Sequence, residues 1–320
     1  MTRGRRWELA RRMALPSLFA WVDLVLVGAI FLPSRSLGAD GALYSAAATA
    51  WLTGADPWDV VERGVRIVAP PPTLVPFVLT SWMPTSVAGF TWVAAGVIFA
   101  LLAVRALRAP LWWLLFPPLF VAIFHGSIEP LVLALLVIGP GSIAPLLKVY
   151  AAIPLIGMRR WRSLALCALF GLVTLVVLPW PQFLSHSSDL VAITESETHG
   201  GLSAFGVPLL AVLTLAALGA LGPLRASFLV VPALWPLTQF HYAVIALPAL
   251  IDLPVVAAGA SIPLVPYLSA LAVIVVAGAE AVTSGLNAGA VTGWSRSLIH
   301  RRGRDSAQMA ARPERERANG

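Results

Sequence analysis

The most conspicuous candidate for chemistry is Lys148, which lies in the apolar run APLLKVYAAIPL and is the single lysine of the chain. Because an ionisable group at membrane depth is costly to bury, its presence there is by default a hypothesis of function. An ammonium facing a cavity would neutralise a phosphate group as a compact point charge. The alternative is a lysine at a helix end whose head group reaches the interface and needs no ligand. We favour the phosphate-binding role.

Asp40 follows the first long apolar run, in the stretch LGADGALYSAAATAWLTGADPWDV. Its position predicts the N-cap of a short helix that ends before Gly54. A carboxylate at the external mouth of a span would also accept a proton from an acceptor hydroxyl. Spacing alone leaves the cap and the general base as equally good interpretations.

Two further motifs carry histidine. In WPLTQFHYAVIALPAL, His241 lies between a proline-marked break and an apolar run, where an imidazole would share proton transfer or bind a phosphate. A hydrogen-bonded core histidine is the alternative. In HGSIEP, His125 and Glu129 are four residues apart and would share a helix face. Because the spacing offers no third ligand, we predict that they line a cavity at a break, and we predict no metal site.

The elements that must position these residues are helices in lipid. The chain has 58% hydrophobic and 12% charged residues, with a mean hydropathy of +0.84. A soluble domain carries about a quarter charged residues, so this chain cannot cover a water-facing surface. Its apolar runs do not alternate as barrel strands must. We therefore predict an all-α, polytopic integral membrane bundle of about ten or eleven spans.

Arginine clusters at both ends of the chain predict cytoplasmic termini. That orientation accounts for the net charge of +7 without a nucleic-acid partner. The domain organisation that follows is a basic N-terminus over 1–13, a membrane domain over 14–292 and a disordered basic tail over 293–320. Within the membrane domain, we expect external loops at 33–70 and 180–204.

The first external loop contains the short helix that begins at Asp40. Leu43, Ala47, Ala50 and Trp51 fall on one face of it, so we expect an amphipathic helix lying on the membrane surface. The second external loop carries two histidines and three acidic residues. We interpret these as solvated side chains rather than as a metal site.

The order of these motifs resembles that of a known family. One span leads to GADGALYSAAATAWLTGADPW, then APPPTLVPFVL, FHGSIEPLVLALLV, LLKVYAAIPLI with RRWR, a long loop and WPLTQFHYAVIAL. From Ala14 to Leu250 the chain resembles glycosyltransferase family 87, the polyprenol-phosphate-mannose-dependent α-mannosyltransferases of the GT-C superfamily. It departs from the family pattern at Ser127, Val149 and Phe240, where glutamine, proline and an acidic residue are usual.

The resemblance implies roles for particular residues. Asp40 would be the catalytic base, and His241 a second catalytic or phosphate-binding group. Lys148 and Arg35 would bind the donor phosphate. The resemblance also implies that Tyr44 and Trp58 shape the first external loop. Together with the pair from HGSIEP, this gives four side chains for which we predict cavity or substrate contacts: Tyr44, Trp58, His125 and Glu129. No cofactor is expected, because the sugar arrives on a lipid and the chain has no P-loop or dinucleotide fingerprint.

The expected function is that of a multi-pass protein of the bacterial plasma membrane with an extracytoplasmic active site. It would move a sugar, mannose by the resemblance, from a polyprenyl-phosphate donor to an envelope glycolipid or glycan. Membrane lipids would surround it. Three alternatives stay open: a transporter of a lipid or polyprenyl-linked substrate, an inactive structural relative in envelope assembly, and a transferase for another polyprenyl-linked sugar.

Overall fold

The structure is a computed structural model that describes residues 3–31, 36–198, 202–236, 238–263 and 265–283. It is mostly helical, which confirms the all-α prediction. Its α-helices are, in chain order, α1 Arg3–Leu26, α2 Ala39–Leu52, α3 Thr85–Ala106, α4 Pro117–His125, α5 Glu129–Val137, α6 Ala144–Leu147, α7 Ala152–Gly157, α8 Trp161–Val177, α9 Trp180–Ser185, α10 Ser187–Thr198, α11 Pro208–Ala220, α12 Pro223–Leu234, α13 Leu247–Leu250, α14 Pro254–Ala260 and α15 Leu268–Thr283.

Shorter elements join these helices. A π-helical turn, Val27–Phe31, continues α1, and the antiparallel strands β1 (Val61–Glu62) and β2 (Val65–Arg66) form a hairpin. The 3₁₀-helices are Pro57–Asp59, Pro71–Thr80, Leu111–Leu115, Val149–Ala151, Ala204–Gly206 and Phe240–Ala246.

Helix α2 is buried inside the protein, so the prediction of a membrane-surface helix is wrong. It packs against α3 and against the 3₁₀-helix Pro71–Thr80. The predicted apolar face accounts for only part of the burial of α2. Small residues on its other sides let neighbouring helices approach closely there as well. Gly41, Ala42 and Ala48 are all buried. With so few bulky side chains, α2 can be enclosed by its neighbours on most of its surface.

An aromatic stack fixes α2 laterally. Tyr44 stacks on Phe77 with ring centroids 4.8 Å apart, and Phe77 in turn contacts Trp92 at 4.1 Å. The Trp92 indole donates a hydrogen bond to the Thr80 hydroxyl (3.0 Å), which also bonds to Ser45 (2.7 Å). The polar atoms of this buried stack are therefore satisfied, as buried hydroxyl and indole groups must be.

Glycines set the position of the first turn of α2. Gly38 has a φ of 70°, and its amide donates to the carbonyl of Phe124 at the end of α4 (2.9 Å). A Cβ atom at Gly38 would lie 2.7 Å from the backbone of Gly89 in α3. Gly126, at the end of α4, packs against Gly89 as well. The backbones of α2, α3 and α4 therefore meet at a contact that no larger residue fits.

Helices α4 and α5 form a broken pair, bent by 120° at residues 126–128. Gly126 ends α4 in the left-handed conformation, and the amide of Ser127 donates to the carbonyl of Ala122 (2.9 Å). This pattern is that of a Schellman cap. Pro130 lies in the first turn of α5, where its missing N–H costs nothing.

Among the described residues, α3 is long and apolar enough to cross a membrane, and the bent pair α4–α5 passes the same test when taken together. The remaining apolar helices are shorter. Buried core helices also pass this test, so the ten or eleven spans stay a prediction.

The two predicted external loops contain regular structure. Segment 33–70 holds α2 and the hairpin, and segment 180–204 holds α9 and α10 rather than an irregular loop. The chain divides into two units, Met1–Ile274 and Val275–Gly320. The described residues of the second unit continue helix α15, and the predicted tail 293–320 lies outside the described residues.

Candidate functional site

A cavity of about 350 Å³ opens between the first turns of α2, the hairpin, the α4–α5 break and the 3₁₀-helix Phe240–Ala246. This volume lies in the range of small-molecule sites. The polar and charged side chains that line it are Asp40, Tyr44, Arg66, His125, Ser127, Lys148, Gln239, His241 and Tyr242. Elements far apart in the sequence therefore bring convergent polar groups to one concave surface.

Behind one wall of the cavity, Glu129 is the centre of a set of polar contacts that we call the Glu129 network. Its side chain is 3% exposed, and one oxygen lies 3.0 Å from the Lys148 ammonium and 3.6 Å from Nε2 of His241. The hydroxyls of Ser127 and Tyr150 also donate to the carboxylate, Tyr150 at 3.4 Å. A buried carboxylate surrounded by donors in this way meets the requirement for burying a charge.

Local backbone structure explains why these groups meet. The bend after Gly126 places Ser127 and Glu129 at the start of α5, where the helix dipole favours a negative charge. Lys148 lies in extended backbone between α6 and the following 3₁₀-helix. The Thr73 hydroxyl holds this segment by donating to the carbonyl of Leu147 (2.7 Å). The Lys148 ammonium also lies 5.1 Å from the ring centre of Tyr242, a cation–π distance.

Asp40 lies on a different wall, in the first turn of α2. The N-cap is Gly38 and no side chain caps the helix, so the prediction of Asp40 as the cap is wrong. The left-handed conformation of Gly38 begins the helix two residues before Asp40. Among the residues that the structure describes, no hydrogen bond or ion pair engages the Asp40 carboxylate. Within the described part of the chain its oxygens are thus available to a ligand, and the helix N-terminus favours their charge.

The hairpin forms a third wall through Val65 and Arg66. Arg63 and Gly64 make its two-residue turn with φ values of 54° and 82°, which match the right-handed twist of a hairpin. The base of the hairpin is held by Trp58, whose indole donates to the carbonyl of Ala69 (3.2 Å).

Trp58 does not line the cavity, contrary to its predicted substrate contact. Its side chain is 1% exposed and packs against the ring of Phe183 at 5.4 Å. A fully buried indole with its N–H satisfied has no face to offer a sugar. Trp58 therefore positions the hairpin, and with it the side chains that do line the cavity.

The predicted site residues separate into four groups. Asp40, Tyr44, Lys148, His125 and His241 all line the one cavity, and Glu129 lies behind it, in contact with two of them. Trp58 lies away from the cavity. Arg35 lies outside the described residues.

The sequence analysis assigned no site role to three side chains that lie here: Ser127, Tyr150 and Arg66. Tyr150 is two residues from Lys148, and Ser127 is two residues from Glu129. Inspection of the polar residues next to each buried ionisable residue could therefore have identified both. Arg66 had no such signal, because it lies in a short charged segment after Glu62 and Arg63 and directly before an apolar run.

A separate group of potential metal ligands lies outside this cavity. One ligand atom from each of Asp56, Asp59 and His186 comes within 4.8 Å of the others. Nε2 of His186 is 3.2 Å from Asp56, whose second oxygen accepts the Trp58 amide (2.9 Å). These contacts account for two of the three side chains without a cation.

No protein-family model, no curated protein and no solved structure matches this chain. The resemblance to glycosyltransferase family 87 therefore stays a prediction.

Proposed function

We propose that the protein is a membrane glycosyltransferase that moves a sugar from a polyprenyl-phosphate donor to a hydroxyl of an envelope glycolipid or glycan. The observation that carries the proposal is that the carboxylate of Asp40, which no described residue engages, and the ammonium of Lys148 line the same cavity. A sugar phosphate that entered it would meet a carboxylate base and an ammonium hydrogen-bond donor together, which is an arrangement suited to glycosyl transfer from a phosphate.

The proposed reaction is one displacement at the anomeric carbon. The acceptor oxygen forms a bond to that carbon while the bond from carbon to the phosphate oxygen breaks, and its electron pair leaves on the phosphate. The acceptor proton passes to Asp40. Lys148 donates a hydrogen bond to the departing phosphate, since an ammonium has three donors and Glu129 engages it from one side. Mannose is the donor sugar that the resemblance favours.

The outer surface supports a lipid environment for this reaction. Helix α8 has no buried residue, and its apolar side chains project outward, with Val176 88% exposed and Leu172 63% exposed. Leu209 of α11 is similarly 73% exposed. Water-soluble monomers rarely expose continuous apolar surface of this kind, and lipid would cover it without cost. A bacterial plasma membrane with the cavity on the extracytoplasmic side is the location we propose.

The direct test supplies the purified protein in lipid nanodiscs with radiolabelled polyprenyl-phosphate-mannose and a glycolipid extract. We expect transfer to fall at least 100-fold in Asp40→Asn, as for loss of a general base. Asp189→Asn should retain transfer, because Asp189 is an exposed carboxylate of α10. Transfer that is equal in both variants would contradict the proposal.

Two other outcomes distinguish the alternatives. Movement of the labelled lipid across vesicles without transfer would instead indicate a transporter, and neither activity would indicate a structural relative. The side of the membrane is tested separately in a Cys167→Ala background, which removes the single native cysteine. A cysteine introduced at position 40 should react with an impermeant maleimide from outside the cell. Reaction from the cytoplasmic side alone would rule out an extracytoplasmic site.

A further inference from the structure

The charges that line the cavity are not equally available to a ligand. Lys148 is 13% exposed and forms a buried pair with Glu129 at 3.0 Å, so the charges of these two groups largely cancel. His125 and His241 carry charge only when protonated. Asp40 adds a negative charge on another wall. Without a further cation, the lining side chains that the structure describes would therefore present an anionic ligand with a net negative charge.

Arg66 supplies that further cation. It lines the cavity from β2, and among the residues that the structure describes its guanidinium makes no ion pair or side-chain hydrogen bond. Its neighbour in the hairpin turn, Arg63, is instead paired with Glu62 at 3.9 Å. The two arginines of one hairpin thus differ, because Arg66 lines the cavity and no described residue engages the five donors of its guanidinium.

The hairpin holds Arg66 in place. Val61 pairs with Arg66 and Glu62 with Val65, and Ile67 directly after the strand is buried. The Trp58–Ala69 hydrogen bond closes the segment at its base. Arg66 is therefore positioned by its cross-strand pair with Val61 and by the buried residue Ile67 that follows it in the chain.

We infer that Arg66 is the residue that binds the anionic phosphate of the ligand, as a phosphate monoester or diester. The planar guanidinium presents two parallel N–H donors that match two phosphate oxygens, whereas the lysine ammonium acts as a point charge without that fixed fork. Lys148, already neutralised by Glu129, then acts as a hydrogen-bond donor of fixed position. That the phosphate is carried by a lipid rests on the proposed function. That Arg66 binds a phosphate does not require the protein to catalyse sugar transfer.

The test compares wild type with Arg66→Gln, Arg66→Lys and the matched control Arg63→Gln. Each is purified in phosphatidylcholine nanodiscs, and binding of undecaprenyl phosphate, undecaprenol and glycerol 3-phosphate is measured by titration. We expect Arg66→Gln to weaken phosphate binding about 10- to 100-fold, the effect of losing hydrogen bonds to a charged group. Arg66→Lys should fall between, and Arg63→Gln should bind within twofold of wild type.

The ligands distinguish the source of the phosphate. Binding of undecaprenyl phosphate but not of glycerol 3-phosphate indicates a lipid-borne phosphate, and binding of both indicates a site for the group alone. Equal affinity of wild type and Arg66→Gln, or no binding of either phosphate by wild type, overturns the inference. Phosphate binding through Arg66 without sugar transfer would leave the inference standing and contradict the proposed function.

Discussion

The Glu129 network and the first turn of α2, which carries Asp40, adjoin the same cavity, but the protein surrounds their two carboxylates in opposite ways. In the network, Glu129 is buried and contacts Ser127, Lys148, Tyr150 and His241. In the first turn of α2, no described residue engages the carboxylate of Asp40. A carboxylate whose partners are supplied by the protein contributes to the fold, whereas one left open to a cavity contributes to binding or catalysis. The two regions should therefore respond differently to substitution.

The largest loss of stability is expected for Glu129→Ala. It leaves the Lys148 ammonium buried without its counter-charge, which costs about 3–5 kcal/mol in the free energy of unfolding. Equilibrium denaturation in detergent micelles measures this. The control Glu62→Ala removes an exposed pair with Arg63 and should cost under about 1 kcal/mol. Equal losses in the two variants would contradict a structural role for the network.

The second-largest loss of stability is expected for a substitution at the backbone contact between α2, α3 and α4. Gly38→Ala places a Cβ 2.7 Å from the Gly89 backbone and forces alanine into a left-handed conformation, so we expect a loss of about 2–4 kcal/mol. The control Gly219→Ala meets nothing within 4 Å and should be neutral or stabilising. Thermal unfolding of both variants separates the two expectations, and an unchanged midpoint for Gly38→Ala would show that the backbones are not in contact.

A smaller loss, about 1 kcal/mol, is expected for Tyr150→Phe, which removes one of the hydroxyls that donate to Glu129. Tyr267→Phe serves as the matched control, since its hydroxyl makes no hydrogen bond within the described part of the chain. The difference between the two midpoints of denaturation is the measurement. A midpoint for Tyr150→Phe above that of the control would show that the hydroxyl does not support the carboxylate.

The smallest effect on stability is expected for Asp40→Asn, even though it should have the largest effect on transfer. Replacing the carboxylate removes only its favourable interaction with the N-terminus of α2. We expect this to lower the free energy of unfolding by under about 1 kcal/mol. The same denaturation experiment checks this value. A loss comparable to that of Glu129→Ala would mean that Asp40 is a structural carboxylate, and the comparison between the two regions would fail.

The sequence predicted the helical class because composition and periodicity are local properties that report on the solvent of each segment. It also pointed to Asp40, Lys148 and His241, which stand out as ionisable residues within apolar surroundings. The burial of α2 could not be predicted in this way. Its apolar face is compatible with a membrane surface, and only the partners α3 and Pro71–Thr80 decide otherwise.

For a related reason, the ion pair between Glu129 and Lys148 could not be predicted from the sequence. Glu129 and Lys148 meet because the chain bends by 120° after α4, and a bend of that size is set by tertiary packing around Gly126 rather than by the two charged residues. Arg66 is a similar case. Its contribution depends on which side of a short hairpin faces the cavity, and the anchor that decides this, Trp58, lies outside the strands.

The brevity of that hairpin has a further consequence for hydrogen exchange. Each strand has two residues, and a two-stranded ribbon of this size is marginally stable in isolation. Its amides should therefore exchange with deuterium through local opening, well before those of α2, whose protection requires disruption of the surrounding core. One rim of the cavity would then fluctuate on a faster timescale than the helix that carries the carboxylate opposite it.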